Sequence, residues 1–513
     1  METTLLGIDI GTSSCKAVAF RTDGTVKAQA SENYGVLRPH AGWEEQDPDI
    51  WWQAVCGALH TLFEKGVSPA AIAGVGVDGQ SWSAVAADRR GAVLCNTPIW
   101  TDTRAQSICD ELNKRPIGAE MFRVSGNLLR PSYTMPKVLW YKEFMPDVYK
   151  HTYKILQSNG FIAMRLTGVP SQDVSQGYGW ACYSMANGRW EPGLCTGAGL
   201  STSLLPDIVP CHKVIGNVTK EAAKQTGLLR GTPVVAGGLD AACATLGVGA
   251  IHPGETQEQG GQAGGMSICA DTCRANRRLI LSPHVVPGLW LLQGGTVAGG
   301  GAVNWFSGEF CAQESFKAKE AGTSTLFEMD RAAETVPPGS GGLVFLPYLA
   351  GERSPIWDSR AKGVFYGIDF AKTRAHFARA VMEGVAYSVR HNIEAAQAGG
   401  AHIDVLRAMG GAANSRLWMQ IKADITGKSI EVCSSDTATA LGAAILAGVG
   451  TGVYAGFEDA VGKTVKVKRR YEPDVKNASV YEAGYAVYRE LYEALKNIMH
   501  GGKANESSGI IRE

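Results

Sequence analysis

The sequence has no excess of charge of either sign and no long apolar run. Its 513 residues include 49 Lys and Arg and 49 Asp and Glu, so the formal net charge at pH 7 is +0. A basic excess is what draws proteins to nucleic acid or to acidic membranes, and it is missing here. No apolar stretch approaches the roughly 18 residues that suggest a membrane-spanning helix. We therefore expect no nucleic-acid partner and no membrane span.

The 12 cysteines lack the spacing of a metal site or of a disulfide framework. Cys269 and Cys273 are the closest pair, and no cluster of histidines accompanies them. Cysteines in cytosolic proteins normally remain reduced. The first apolar segment, residues 5–10, carries Asp9 and does not resemble a signal peptide. These observations predict a cytoplasmic protein.

Glycine, in contrast, is abundant: 63 of the 513 residues are Gly, which is about 12% against about 7% in an average protein. Such an excess is typical of many tight turns and of backbone that lies close to a ligand. The length exceeds what one hydrophobic core usually covers. We predict two domains, residues 1–249 and 250–500, followed by a flexible tail at 501–513.

Two aspartates follow short apolar segments and lie beside glycine turns. Asp240 follows residues 233–239, which end in Gly-Gly-Leu, and Asp9 ends the first apolar segment. Ligands of open α/β sheets bind at the carboxyl ends of the strands. A kinase can use one such carboxylate near Mg²⁺ and the other to deprotonate a hydroxyl. A purely structural role in the turn is the alternative for Asp9.

Several glycine-rich turns are candidate nucleotide-binding sites. The turn at residues 11–14 is not a P-loop, because it lacks the Gly-Lys-Ser/Thr ending. Backbone N–H groups in the predicted hairpins at residues 11–14 and 260–265 can hold phosphate oxygens. The turn at residues 410–414 precedes a helix and has room for a flat ring. Ordinary hairpins and an ordinary strand–helix turn are the alternatives. The candidate residues are Thr12, Ser13, Gly261, Gln262, Gly264, Gly300, Gly410, Gly411, Ala412 and Asn414.

Polar and aromatic residues follow two more predicted strands, at residues 78–82 and 100–104. Side chains of these types can bind a polyhydroxyl compound, and salt-bridged or packed side chains are the alternative. The candidate substrate-binding residues are Gln80, Ser81, Trp82, Asp102, Arg104 and Asp240.

Periodicity predicts a mixed α/β fold. Strands are expected at residues 5–10, 15–20, 25–30, 72–77, 266–270 and 404–409, and helices at 48–63, 377–393, 417–425 and 438–446. The predicted hairpin around residues 258–270 resembles the hairpin around residues 9–20. An internal duplication of one domain type would explain this likeness.

In this order, the motifs resemble those of the FGGY carbohydrate kinase family, and within it the pentulose kinase (xylulokinase) branch. The likeness extends from about residue 5 to residue 448 and includes residues 7–14, 100–104, 237–240 and 410–427. It implies two actin/hexokinase-like (ribonuclease H-like) domains, with ATP and Mg²⁺ in a central cleft. Many family members are dimers, so a homodimer is also implied.

The resemblance implies ATP-dependent phosphorylation of a primary hydroxyl of a small sugar, a ketopentose such as xylulose. Asp240 matches the catalytic base, and Asp9 matches the carboxylate that holds Mg²⁺, largely through water. Another pentulose, a tetritol or glycerol is the alternative substrate. A nucleotide-binding sensor without catalysis is the alternative from another functional class.

Four residues, in three segments, depart from the pattern of the family. The second hairpin has Gly-Gln-Ala-Gly at residues 261–264 where relatives commonly have Gly-Thr-Ser-Gly, so backbone contacts to phosphate remain but two hydroxyls are lost. Trp82 replaces a histidine, and Ala241 replaces an asparagine beside the base. Because both of the latter positions belong to the implied sugar site, we predict an altered sugar preference.

Overall fold

The chain divides into two compact units. The computed structural model describes residues 2–433 and 437–501. The first unit comprises residues 1–253, 269–292 and 437–466, and the second comprises 254–268, 293–436 and 467–513. The domain limits predicted at residues 249 and 500 stay predictions. The predicted tail, residues 501–513, lies outside the described residues except for Gly501.

Helices and strands alternate along most of the chain. The strands are β1 (Thr4–Ile10), β2 (Ser14–Arg21), β3 (Val26–Asn33), β4 (Glu45–Gln46), β5 (Ile72–Gly79), β6 (Val85–Ala87), β7 (Thr97–Pro98), β8 (Lys154–Leu156), β9 (Ser171–Asp173), β10 (Tyr183–Ser184), β11 (Arg189–Trp190), β12 (Asp207–Val209), β13 (Val214–Asn217), β14 (Pro233–Val235), β15 (Gly238–Leu239), β16 (Glu255–Gly260), β17 (Gly264–Ala270), β18 (Ile280–Pro283), β19 (Trp290–Gly294), β20 (Val344–Leu346), β21 (Val364–Tyr366), β22 (Val405–Met409), β23 (Ser429–Cys433) and β24 (Val467–Tyr471). The helices are α1 (Pro48–Glu64), α2 (Gln106–Lys114), α3 (Pro116–Ser125), α4 (Thr134–Phe144), α5 (Pro146–His151), α6 (Ser158–Thr167), α7 (Pro192–Gly197), α8 (Lys220–Thr226), α9 (Asp240–Gly247), α10 (Gly300–Phe310), α11 (Ala312–Ala321), α12 (Thr325–Glu334), α13 (Arg374–Ala398), α14 (Arg416–Thr426), α15 (Ala438–Gly450), α16 (Phe457–Thr464) and α17 (Ala478–Met499).

A mixed sheet forms the centre of the first unit, with strand order β13-β14-β5-β1-β2-β3 and with β15 also paired to β5. Strand β1 is antiparallel to β2 and parallel to β5. Helix α1 begins after Asp47, whose side chain accepts a hydrogen bond from the Asp49 N–H. It buries the apolar stripe that the sequence predicts, including Trp51, Val55 and Leu59.

Helix α15 lies flat against β1 and β5 because glycines leave no side chains in the way. A Cβ atom on Gly7 would lie 1.9 Å from the carbonyl oxygen of Ala440, and one on Gly76 would lie 1.9 Å from that of Ala443. Towards the carboxyl ends of the strands, the residues of α15 that face them have progressively lower residue numbers. The amino end of α15 therefore lies over the carboxyl ends of β1 and β5.

The second unit contains the strand order β17-β16-β22-β23-β24. Strands β16 and β17 form an antiparallel hairpin, and β16 is parallel to β22, which is parallel to β23. The first unit repeats this pattern with β1, β2, β5 and β14. The shared pattern supports the internal duplication predicted from the sequence.

The predicted helix at residues 377–393 is present as α13, which is longer at both ends than the sequence pattern indicates. Its buried side includes Val381, Val385 and Ile393. Gly399 is its C-cap, in agreement with the predicted stop. None of the helices in the described ranges 2–433 and 437–501 is long and apolar enough to cross a membrane.

Candidate active site

Three aspartates lie together at the carboxyl edge of the first unit's sheet. Asp9 is the second-last residue of β1 and is paired in register with Asp78 near the end of β5. Asp78 is also paired with Gly238 of β15, and Asp240 then begins α9. Asp9 and Asp240 are partly accessible to solvent, whereas Asp78 is fully buried. Asp78 belongs to the segment 78–82 that was predicted to bind a polyhydroxyl compound, and no local sequence pattern indicated that it lies beside Asp9.

The surroundings of Asp240 suit a general base. Burial raises the pKa of its carboxyl group to about 7, and the nearby Asp9 carboxylate adds to this effect. A hydrogen bond from the Ala241 N–H to Oδ1, 2.6 Å long, acts in the opposite direction. A base with a pKa close to the working pH combines a useful ionised fraction with real affinity for a proton.

Asp9 and Asp78 form a pair of carboxyl groups. The two residues are paired in register, and burial raises the pKa of both groups, most strongly that of Asp78. Neither carboxyl oxygen of Asp78 has a hydrogen-bond partner among the described residues. Two neighbouring carboxyl groups in a buried place are stabilised by a proton or by a cation.

This donor set fits Mg²⁺, which is held by oxygen ligands and often takes only one or two carboxylates beside phosphates and waters. Among residues 2–433 and 437–501, no group of three or more His, Cys, Asp and Glu side chains is arranged to hold a metal ion. A cage of protein side chains is therefore not present in these residues, and a magnesium site at Asp9 stays a prediction.

The first glycine turn is held by a network of amides and hydroxyls. The Trp100 Nε1–H donates to Oγ1 of Thr12 at 2.9 Å, and Gln46 Nε2 donates to the Thr12 carbonyl at 2.8 Å. Gln80 Nε2 donates to Gln46 Oε1 at 2.8 Å. The turn that carries Thr12 and Ser13 is therefore fixed before any ligand binds, and the Gln80 amide is part of this support.

Aromatic side chains surround Trp82 in the first unit. Its ring centroid lies 4.7 Å from that of Tyr133 and 5.7 Å from that of Tyr178. The Trp82 indole nitrogen, the Ser83 hydroxyl and the two tyrosine hydroxyls are buried without a hydrogen-bond partner among the described residues. Unpaired buried polar groups are rare, so this cluster is a candidate binding site for a polar ligand.

The backbone conformation at Trp82 is also unusual. Its φ angle is +56°, a region that residues other than glycine seldom adopt. Its N–H is held by the Oε1 atoms of Gln157 at 3.0 Å and Gln176 at 3.1 Å. A bulky residue kept in this conformation by two buried amides is typical of a binding site. The neighbouring Ser81 is half-buried.

Asp102 and Arg104, both predicted to bind substrate, bind each other. The Asp102 carboxylate accepts hydrogen bonds from Nε of Arg104 and from the Glu44 N–H. Arg104 also forms a buried ion pair with Glu45 and lies 4.1 Å from the centroid of the Trp43 ring. This arrangement agrees with the salt-bridged alternative, and contact with substrate stays a prediction for both residues.

A pocket of about 550 Å³ lies in the second unit and collects most of the predicted nucleotide-binding residues. The predicted residues that line it are Gly261, Gln262, Gly300, Gly411, Ala412 and Asn414. Gly264 and Gly410 do not line it. Helices α12 and α14 contribute further pocket residues that no local sequence motif marks, among them Phe327, Asp330 and Trp418.

The second glycine hairpin is packed against the amino end of α10. The carbonyl of Gln262 accepts hydrogen bonds from the N–H groups of Gly299 and Gly301. A Cβ atom on Gly300 would lie 2.6 Å from the carbonyl oxygens of Gly260 and Gly261. The two backbones approach each other so closely that glycine is required at this point. Their contact holds the hairpin in place without hydroxyl side chains.

Comparison with known proteins gives a consistent result. Residues 4–247 match the family model described as "FGGY family of carbohydrate kinases, N-terminal domain", and residues 271–451 match the model of its C-terminal domain. A xylulose kinase of Bacillus subtilis strain 168 is 30% identical over 497 residues, which cover 96% of this chain and 97% of that protein. An autoinducer-2 kinase of Salmonella choleraesuis strain SC-B67 is 30% identical over 515 residues, which cover 97% of this chain and 96% of that protein.

Among solved structures, the crystal structure of a xylulose kinase from Rhodospirillum rubrum matches with a TM-score of 0.88 and 32% identity. The match covers 97% of this chain and 100% of that one. These similarities confirm the fold class predicted from the sequence, an α/β protein with two actin/hexokinase-like domains.

Proposed function

Because the chain belongs to the FGGY family of carbohydrate kinases and is an ATP-dependent sugar kinase, we propose that it phosphorylates a primary hydroxyl of a ketopentose, with D-xylulose among its substrates. The named xylulose kinases that resemble it along almost their whole length support this substrate class. The similar autoinducer-2 kinase has the same level of identity, so identity alone does not decide the sugar.

The observation that carries the proposal is the position and pKa of Asp240. The carboxyl group begins a helix at the sheet edge, is partly accessible, and has a pKa raised to about 7. In the proposed reaction Asp240 orients the attacking hydroxyl and accepts its proton as the phosphoryl group is transferred. Asp9 and Asp78 are less suited to this role because they are register partners on neighbouring strands and a charge on one raises the electrostatic cost of ionising the other.

Mg²⁺ would be held near Asp9, with the buried Asp78 beside it, and would supply positive charge that offsets the negative charge of the phosphates. The N–H groups of the turn at Thr12 and Ser13 and of the hairpin at residues 261–264 donate hydrogen bonds to phosphate oxygens. Gly411, Ala412 and Asn414 line the space for the nucleoside. Preorganised donors of this kind stabilise the transferring group without reorganisation.

The acceptor sugar binds, in this proposal, beside Trp82, Tyr133 and Tyr178. Their rings offer flat apolar faces to the C–H groups of a sugar, and their unpaired N–H and O–H groups suit its hydroxyls. Gln80, Ser81, Asp102 and Arg104 support this site or contact the substrate. The site thus favours a small compound with both hydroxyl groups and an apolar face.

Two further properties stay predictions. The association of two copies of the chain, expected from the family resemblance, is measured by light scattering coupled to size-exclusion chromatography. A location in the cytoplasm is measured by fractionation of cells that express the protein from its own gene.

The proposal is tested by measuring ADP release from ATP and Mg²⁺ in the presence of D-xylulose, other ketopentoses, tetritols, glycerol and no sugar. We expect ketopentoses to raise ADP formation well above the rate without sugar, and mass spectrometry to detect a sugar monophosphate. Stimulation by glycerol or a tetritol alone would replace the ketopentose with that substrate. Absence of stimulation by every compound, in a folded protein that binds ADP, would contradict the proposal.

A further inference from the structure

Two chemically different sets of residues line the nucleotide pocket of the second unit. Gly260, Gly261 and Gly300 contribute glycine backbone, which suits phosphates. Helix α12 contributes Leu326, Phe327 and Asp330. A nucleotide whose phosphates bind to the glycines can therefore place its base against α12.

Phe327 and Asp330 lie three residues apart on α12 and so share one side of the helix. Phe327 is 51% exposed although it lines a concave pocket. A large aromatic ring that is left open to solvent inside a pocket is a platform on which a flat base can stack. The ring and the carboxyl group thus face the same space.

Asp330 is half-buried, and burial raises the pKa of its carboxyl group. Ser415, the N-cap of α14, lines the same pocket, and its Oγ accepts a hydrogen bond from the Trp418 N–H at 3.0 Å. The Ser415 side chain acts on the pKa of Asp330 in the opposite direction to burial.

We propose that Asp330 is the residue that selects the nucleobase: its carboxyl group accepts a hydrogen bond from the exocyclic amino group of adenine while Phe327 stacks on the ring. A carboxylate has acceptors only, and the amino group at position 6 is the donor that distinguishes adenine from an unsubstituted purine. The inference rests on the proposed function only in requiring that the nucleotide is ATP.

The test measures binding of diphosphates by calorimetry in the presence of Mg²⁺ and without sugar. The ligands are ADP, purine riboside diphosphate, which lacks the amino group, and 2′-deoxyADP, which lacks a ribose hydroxyl. The proteins are the wild type, Asp330→Ala, Asp330→Asn and the control Glu334→Ala. Glu334 is exposed one turn further along α12 and does not line the pocket. Its replacement by alanine therefore removes the same charge without changing the pocket lining.

We expect the wild type and Glu334→Ala to bind ADP about tenfold or more tightly than purine riboside diphosphate, as one hydrogen bond to a charged group predicts. Asp330→Ala should bind the two ligands equally, and Asp330→Asn, whose side-chain oxygen still accepts, should keep part of the preference. Equal binding by the wild type would overturn the proposal. The proposal would also be overturned if Asp330→Ala kept the wild-type preference for ADP over purine riboside diphosphate but lost the preference for ADP over 2′-deoxyADP.

Because no sugar and no turnover enter this measurement, its failure is distinct from failure of the proposed function. A protein that phosphorylates no sugar can still show the predicted preference for ADP. A protein that phosphorylates xylulose can equally lack it.

Discussion

Asp240 differs from the two other aspartates at the same sheet edge in the groups that surround its carboxyl group. Asp9 and Asp78 are register partners on neighbouring strands, whereas Asp240 begins a helix and accepts a hydrogen bond from the N–H of its own neighbour, Ala241. Its pKa of about 7 follows from burial first and from the charge of Asp9 second. Among the three carboxyl groups, Asp240 is therefore the one available to take a proton from a hydroxyl.

At the scale of single residues, the sugar preference depends on Trp82 and Ala241. An indole nitrogen donates but does not accept, and alanine offers no polar group, so this part of the site discriminates weakly between sugars. We expect the kcat/KM for D-xylulose to lie within about tenfold of that for another ketose or polyol, because an apolar wall adds little selectivity.

The double variant Trp82→His and Ala241→Asn should shift the preference towards D-xylulose, measured as the ratio of kcat/KM values between D-xylulose and the second substrate. Each single variant is the control, since the two side chains are expected to act together. If the wild type already prefers D-xylulose by more than about tenfold over every other sugar, the prediction is wrong. The apolar surface at Trp82 and Ala241 would then suffice for selection.

At the scale of elements, the turn between β22 and α14 leaves open space in front of Gly411. A Cβ atom on Gly411 would meet no atom within 4 Å among the described residues, and Gly411 lines the nucleotide pocket. Gly411→Val should therefore fold normally and weaken ADP binding by about tenfold or more, because the branched side chain fills space that the nucleoside needs.

Calorimetry with ADP measures this effect, and Gly308→Val is the matched control. Gly308 is in the same unit on α10, a Cβ atom there also meets no described atom within 4 Å, and Gly308 does not line the pocket. If Gly411→Val binds ADP as tightly as Gly308→Val does, residues 410–414 are not part of the nucleotide site.

The turn that follows β18 contains a buried histidine that is held neutral. The Val286 N–H donates to Nδ1 of His284 at 3.1 Å, and Nε2 lies 3.0 Å from the Ala250 carbonyl, to which it donates. A proton on Nδ1 would face an N–H group, and burial lowers the pKa of His284 to about 4. An unfolded histidine has a pKa of about 6.5.

The folded state therefore binds fewer protons than the unfolded state as the pH falls from about 6.5 to about 4, and stability is lost over that window. We expect His284 to account for about 2 kcal/mol of the stability lost between pH 7.5 and pH 5. Urea unfolding at both values measures it: His284→Gln should lose less stability on acidification than the wild type. His40→Gln, at an exposed position, should match the wild type. An unchanged pH dependence in His284→Gln would contradict the assignment.

At the scale of the whole molecule, local pattern was enough to predict the elements that surround the site. The periodicity of α13, the hairpin of β1 and β2 and the small-residue helix α15 each depend on neighbours a few residues apart. Glycine was informative where backbones touch, as at Gly300, and the predicted nucleotide residues consequently lie mostly in one pocket.

What the sequence did not predict depends on contacts between distant residues. Asp78 joins the site through pairing of β5 with β1, and Tyr178 approaches Trp82 from a segment about a hundred residues away in the chain. Asp330 lies on a helix without any motif. Asp102 and Arg104 have ligand-like chemistry, but their partners turn out to be each other, and no local pattern distinguishes the two cases.

The central claim is that this chain is a sugar kinase in which Asp240 takes the proton of the attacking hydroxyl. The most direct measurement compares the wild type with Asp240→Asn for D-xylulose-dependent ADP formation, with ADP affinity measured on the same samples. The account predicts that turnover falls by roughly 10²–10⁴, the usual effect of losing a general base, while ADP affinity is nearly unchanged. A folded Asp240→Asn variant that keeps more than about a tenth of the wild-type turnover would contradict it.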